Sequence, residues 1–205
     1  MTARLTSLVP SRHWRTNHPL RLVAVPTAAV LVLAACSTGG SDGSGGAESV
    51  TRPGSVVTKA DRQAAPRLAG ETLDGRQLDV SDFRGKVVVL NFWASHCGPC
   101  RLEAPHFTKV AKETKAKGVE FVGINTRNTS RTDAVNFERD FGVAYPSLYD
   151  PDGKLMLRFP RGSLNPQAIP STIVIDREGR IAARYLGPLS DSGLREMVTA
   201  VAAEQ

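Results

Sequence analysis

Three cysteines occur in this 205-residue chain, and two of them form the segment Cys97-Gly98-Pro99-Cys100. Two intervening residues in a first helical turn bring the sulfurs close enough to join, so the pair can cycle between dithiol and disulfide. The run Val87-Val88-Val89-Leu90-Asn91-Phe92-Trp93 comes directly before it, and a helix is predicted from about Cys97 to Lys117. Cys97 therefore sits where unpaired N–H groups and the helix macrodipole favour an anion. A free thiol of pKa about 8.5 is only about 3% thiolate at pH 7, whereas one lowered by about two units is roughly three-quarters ionised. That shift needs about 2.7 kcal/mol of preferential thiolate stabilisation. A helix terminus contributes up to about 2 kcal/mol, so further N–H or S–H donors must supply the rest.

The elements that hold this pair are legible from periodicity. The Val87–Trp93 run, β-branched and aromatic with no polar alternation, suits a strand buried on both faces of a parallel sheet. Upstream, Asp74-Gly75 lies between two short extended segments within Leu68–Phe83, a hairpin signal. Gly118 ends the predicted helix, and Val119–Asn125 follows as a second strand, completing a β-α-β unit. A further helix is expected at Asp133–Phe141, and then a short strand near Pro146–Asp150. Ile173–Ile175 and Ile181–Leu186 flank Asp176-Arg177-Glu178-Gly179-Arg180, which reads as a second hairpin. A last helix starts near Ser190 or Ser192, with Leu194, Met197, Val198 and Val201 on one face. The order implies an α/β fold, a central mixed sheet flanked by helices, with no repeat and no second folded domain.

The third cysteine lies in a different context. Residues 1–21 carry Arg4, Arg12, Arg15 and Arg21 without an acid, and Leu22–Ala35 is a mostly apolar run broken by Pro26 and Thr27. A permanent membrane span needs about 20 apolar residues, so this shorter run reads as a secretory signal. It ends Leu33-Ala34-Ala35-Cys36-Ser37, which resembles the lipobox of bacterial lipoproteins. That resemblance implies removal of residues 1–35 and a diacylglyceryl group on Cys36, hence an extracytoplasmic protein anchored to a bacterial membrane. An uncleaved or ordinary signal with an incidental cysteine is the alternative. From Ser37 to Ala65 the chain turns to Gly, Ser, Thr and mixed charge, so residues 36–65 read as a lipidated cysteine plus flexible linker. As a coil this linker spans roughly 30 Å root mean square. The folded domain is placed at 66–205.

Charge and composition exclude other classes. The chain has 26 Lys+Arg and 20 Asp+Glu, a net +6 that invites a nucleic-acid reading. Residues 1–35 contain four arginines and no acid, so without them 22 basic and 20 acidic side chains remain, a net +2. A nucleic-acid partner loses its support. Three cysteines are too few for a disulfide-stapled mini-domain, and 41% apolar residues argue against a wholly disordered chain.

The segment Phe92-Trp93-Ala94-Ser95-His96-Cys97-Gly98-Pro99-Cys100-Arg101-Leu102-Glu103-Ala104-Pro105 resembles the active-site segment of thioredoxin-fold proteins, most closely the membrane-tethered TlpA/ResA-like thiol–disulfide oxidoreductases. The resemblance extends from about Pro66 to the carboxyl terminus and includes the first hairpin and a helix–strand insertion before Ile169-Pro170. It implies that Cys97 attacks a substrate disulfide and that Cys100 resolves the mixed disulfide. Glu103 matches a buried acid of ResA-like members that relays a proton to or from the resolving thiol; a surface glutamate in an early helical turn is the competing reading. The resemblance also implies a cis Ile169–Pro170 bond facing the cysteines, with the Ile169 backbone pairing an extended substrate. His96 departs from the pattern, since the position is commonly Trp; its imidazolium would favour the Cys97 thiolate, and a neutral ring would not. Trp93 is expected as a packing residue and wall of the substrate platform, and Pro105 as a helix kink. Implied partners are disulfide-bearing proteins, such as apocytochrome c or other envelope proteins, and a membrane thiol electron donor. No cofactor is implied.

Two other readings use the same residues. Cys97 and Cys100 with His96 or His106 suit Cu(I), as in a copper chaperone, although a structural zinc site wants four ligands. A peroxiredoxin-like antioxidant would share the fold, but its Pro-rich, Thr-containing signature is missing from the sequence. Gly-Pro between the cysteines resembles the reducing motif of thioredoxin, a resemblance that implies a reductant, although relative thiolate and disulfide stability sets the direction of exchange.

Overall fold

Val87–Trp93 is the central strand of a five-stranded sheet, and all seven of its residues are buried. The structure is a computed structural model that describes residues 56–204. The expected signal segment, Cys36 and residues 37–55 of the expected linker lie outside the described residues. In chain order the elements are β1 (Ala69–Glu71), β2 (Gln77–Asp79), β3 (Val87–Trp93), α1 (Gly98–Thr114), β4 (Val119–Thr126), α2 (Arg131–Phe141), β5 (Ser147–Asp150), β6 (Ser171–Ile175), β7 (Ile181–Leu186) and α3 (Asp191–Ala202). The sheet order is β5-β4-β3-β6-β7. β3, β4 and β5 run parallel, while β6 and β7 are antiparallel to their neighbours. β1 and β2 form a separate antiparallel hairpin whose turn contains Gly75 at φ 85°, a conformation that favours glycine.

The alternation of side chains along β3 explains why its sequence is apolar throughout. Val88, Leu90 and Phe92 enter one core with Leu68 and Val80 beside the hairpin and Leu155, Met156, Phe159 and Leu164 from the β5–β6 connection. Val87 and Val89 enter another, with Phe107 and Val110 of α1 and Leu194, Met197, Val198 and Val201 of α3. Those four α3 residues are the apolar stripe expected from sequence, and burial of each contributes about 1.5–3 kcal/mol. α1 gives way to a 3₁₀ turn at Lys115–Lys117 and stops at Gly118, whose φ is 74°. Ser130 and Ser190 cap α2 and α3 by accepting from Asp133 N and Gly193 N.

The folded part begins before Pro66, unlike the expected linker boundary. Val57 N donates to Ala182 O, Ile181 N to Gln63 O and Ala65 N to Gly179 O, so residues 56–65 lie along the outer edge of the sheet at β7. Arg62 fastens this segment: its buried guanidinium meets Asp176 at 3.1 Å and Glu204 at 2.6 Å. Composition hid the segment because its fixing contacts are ionic and remote in sequence. The β5–β6 connection also supplies more core than its turn residues suggested, with Phe159 packed edge-on against Phe92 at 5.6 Å.

Candidate active site

β3 ends at Trp93 and the chain turns through Ala94-Ser95-His96 into α1. Cys97 is the N-cap of α1: Cys97 Sγ accepts from Cys100 N at 3.2 Å. Pro99, with no N–H to leave unpaired, occupies the first helical turn. Cys97 and Cys100 are joined in a disulfide with Cα atoms 5.3 Å apart. Their environments differ: Cys97 is 8% exposed and Cys100 1%, so an incoming sulfur reaches Cys97. A thiolate on Cys97 would keep the helix N-terminal amide as its hydrogen-bond donor, the local stabilisation that lowers a thiol pKa.

The loop before Cys97 is held by a residue that sequence reading did not single out. Buried Asn128, just after β4, accepts from Ser95 N at 2.7 Å through Oδ1 and donates to Ser95 Oγ at 2.9 Å through Nδ2. Asn125 Nδ2 also donates to Asn128 Oδ1 at 3.2 Å, tying the same amide to β4. The Asn125-Thr126-Arg127-Asn128 segment carried no periodic signal for this role, which depends on two parallel strands ending side by side.

Glu103, one helical turn beyond Cys100, is 1% exposed, so the surface alternative is excluded. Its Oε1 accepts from Asn91 Nδ2 at 2.8 Å and its Oε2 from Leu189 N at 3.0 Å. Burial pushes its carboxyl up to about 7, against the pull of those two hydrogen bonds toward the ionised form. Asn91 is the only polar residue of β3, and its place on the face covered by α1 was the available sequence clue. A second acid, the half-buried Glu138 of α2, is also pushed up to about 7, chiefly by burial, with Asp74 adding to the push.

The Ile169–Pro170 peptide bond is cis, and Pro170 leads directly into β6. Ile169 packs on the same apolar cluster as Cys97 and Cys100, which brings the two segments together. Trp93 is 2% exposed and stacks on Phe137 at 4.4 Å, so it lies behind the cysteines and not on an exposed substrate platform. His96 is exposed beside Cys97, whereas His106 is half-buried farther along α1. α1 continues through Pro105 to Thr114. Among the described residues no three His, Cys, Asp or Glu side chains gather as a metal site, and no helix is long and apolar enough to cross a membrane.

A β-β-antiparallel addition to a parallel β-α-β sheet, with a disulfide-forming pair capping the first long helix, defines a thioredoxin-fold thiol–disulfide oxidoreductase. The chain belongs to the redoxin family, whose family model matches residues 59–201. It is similar to the thiol–disulfide oxidoreductase ResA of Bacillus subtilis (strain 168), at 29% identity over 137 residues covering 67% of this chain and 73% of that protein. Among solved structures, a secreted thiol–disulfide isomerase from Corynebacterium glutamicum superposes with a TM-score of 0.70 at 33% identity, covering 77% of this chain and 96% of that one. A DsbF homologue from Corynebacterium diphtheriae gives 0.67 at 30% identity, covering 76% and 99%.

Proposed function

We propose that this oxidoreductase works outside the cytoplasm, tethered to a membrane through a lipid on Cys36, and reduces disulfides of envelope proteins. The observation that carries the exchange mechanism is the unequal burial of the two cysteine residues, 8% exposed against 1%, with the more accessible one capping α1. In the dithiol form, the Cys97 thiolate attacks a substrate disulfide; one substrate sulfur leaves and takes a proton, and a mixed disulfide forms. Cys100 then gives its proton to the Glu103 carboxylate and attacks the Cys97 sulfur, expelling the second substrate sulfur, which takes a proton from solvent while Glu103 releases its own to solvent. The net change is two electrons and two protons from the cysteine pair to the substrate, which leaves as two thiols while Cys97–Cys100 becomes a disulfide. A membrane thiol donor restores the dithiol by the reverse exchange.

In this reading the Ile169 backbone pairs with an extended substrate segment, a role supported by the apolar contact of Ile169 with the cysteine cluster. His96 assists by its charge when protonated; a thiolate titration of Cys97 in wild type and His96→Phe tests this, and identical curves remove it. Apocytochrome c is one substrate class that the family resemblance of the active-site segment implies. The decisive experiment is trapping with Cys100→Ser, which leaves substrates joined to Cys97 for mass spectrometry. Capture equal to that of Cys97→Ser would refute the assigned order of attack. Intact mass of membrane-extracted protein tests the lipid: retention of residues 1–35 refutes it. A reduction potential near the roughly −120 mV of strong disulfide oxidants, instead of the roughly −270 mV of thioredoxin, would overturn the reducing direction.

A further inference from the structure

Arg127 stands apart from the other described residues in its backbone. It is the only non-glycine among them with a positive φ, 55°, a conformation that glycine or asparagine adopts more readily. Its backbone is fixed there between β4 and Asn128, with Arg127 N donating to Asp150 O at 3.3 Å. The side chain makes no ion pair among the described residues. Its Nε is buried without a hydrogen-bond partner, and its Nη2 only approaches Gln167 O, at 3.5 Å. A guanidinium carries five donors, so this one retains unused capacity in a fixed fork.

Neighbouring acids do not take it up. The Asp150 carboxylate accepts from Lys154 N and Leu155 N, and Asp152 pairs with Lys154. On the far side of the Ser95 loop, Arg101 is occupied differently, with its guanidinium over the Phe141 ring at 5.0 Å. Arg127 thus has free donors beside the loop that leads to Ile169. Its next residue, Asn128, clamps Ser95, two positions before Cys97, and its guanidinium points toward Gln167, two positions before Ile169. Arg127 therefore follows β4 next to the residue that clamps the loop before Cys97, and its side chain reaches the loop that leads to Ile169.

We propose that Arg127 is a specificity-determining residue, binding a carboxylate of the substrate polypeptide close to the disulfide cysteine that Cys97 attacks. The inference rests on the exchange reaction described above and adds the chemical class of its preferred partner, a cysteine flanked by Asp or Glu. Backbone strain at a position that would accept glycine is retained where the side chain is used. A planar fork suits a carboxylate, which satisfies two of its donors at once. Being at the rim and partly solvated, the contact changes affinity modestly and weakens with salt.

The test uses the reduced protein and a series of peptide disulfides in which a single glutamate replaces glutamine at each position within three residues of the cysteine. The second-order rate constant for thiol release is measured for each. Wild type should favour at least one glutamate peptide over its glutamine parent by about fivefold, with the ratio falling as salt rises. Arg127→Gln and Arg127→Gly should bring that ratio to about one, and Arg127→Lys should retain part of it. The glycine variant suits the left-handed backbone, so its urea midpoint should not fall below that of wild type. Exchange with the glutamine parent but no glutamate preference in wild type, or a preference that survives in both Arg127→Gln and Arg127→Gly, overturns the assignment to Arg127 alone. Failure to exchange with any peptide overturns the exchange reading and this inference together.

Discussion

Replacing Glu103 with glutamine isolates the thermodynamic cost of keeping a carboxyl group beneath the cysteine pair. The buried carboxyl titrates at about 7 and its ordinary value is 4.5. Since the folded state holds this proton more tightly than the unfolded chain, the associated stability is fully present below about pH 4.5 and is lost as pH rises through about 7. The separation corresponds to about 3 kcal/mol in total, of which roughly 2.5 kcal/mol falls between pH 5 and pH 8. At 1% exposure, solvent screening does little to reduce it. Glu103→Gln removes the titration and keeps the shape: its carbonyl can accept from Leu189 N, and its amide can donate to Asn91 after that amide rotates. Urea unfolding of the oxidised protein at pH 5, 6, 7 and 8 should show wild type losing stability relative to the variant by about 2.5 kcal/mol across the range. Glu138 titrates in the same window but is common to both proteins, so it cancels. Parallel stability curves would refute the argument that burial of Glu103 controls its proton. If the curves diverge yet the variant resolves mixed disulfides with an unchanged pH profile, Glu103 is a buried acid without a relay role.

Arg62→Ala should destabilise the domain by about 3 kcal/mol, because Asp176 and Glu204 lose their shared cation and Asp176 stays buried; urea midpoints measure it, and a change below about 0.5 kcal/mol would refute an anchoring role. Gly123→Ala should cost about 1–3 kcal/mol, because the added methyl would collide with the Ser147 hydroxyl and lie 2.8 Å from Trp93 Nε1. The same substitution should alter Trp93 fluorescence; unchanged emission and stability would show that β4 yields there without strain. Phe137→Ala should cost about 3–5 kcal/mol and expose Trp93, seen as a red-shifted emission, since their rings stack at 4.4 Å.

How far the sequence led depended on the range of the interaction. β3, α1 and the α3 stripe were legible because local periodicity records which side chains face a core: continuous for a strand covered on both faces, and spaced by three and four for a helix covered on one. Cys97 and Cys100 were equally legible, their chemistry residing in a four-residue spacing. Asn128 was not, because its amide acts on Ser95 from the loop after another strand, 33 residues away. Arg62 was missed for a similar reason: its partners Asp176 and Glu204 are 114 and 142 residues distant, and the segment around it lacks a hydrophobic rhythm. Trp93 packs as its sequence position implies, but the partner that covers it, Phe137 of α2, comes from a separate helix that local pattern does not pair with it.

The strip at residues 56–65 also decides how the domain bears a mechanical load. A pull on the chain upstream of Val56 first meets the bonds from Val57, Gln63 and Ala65 to the margin of β7, together with the Arg62–Glu204 clasp. β6 and β7 both stand between that margin and β3, the strand that leads to Cys97. Force entering from the amino-terminal side would therefore peel an outer seam before it disturbed the spacing of the two sulfurs.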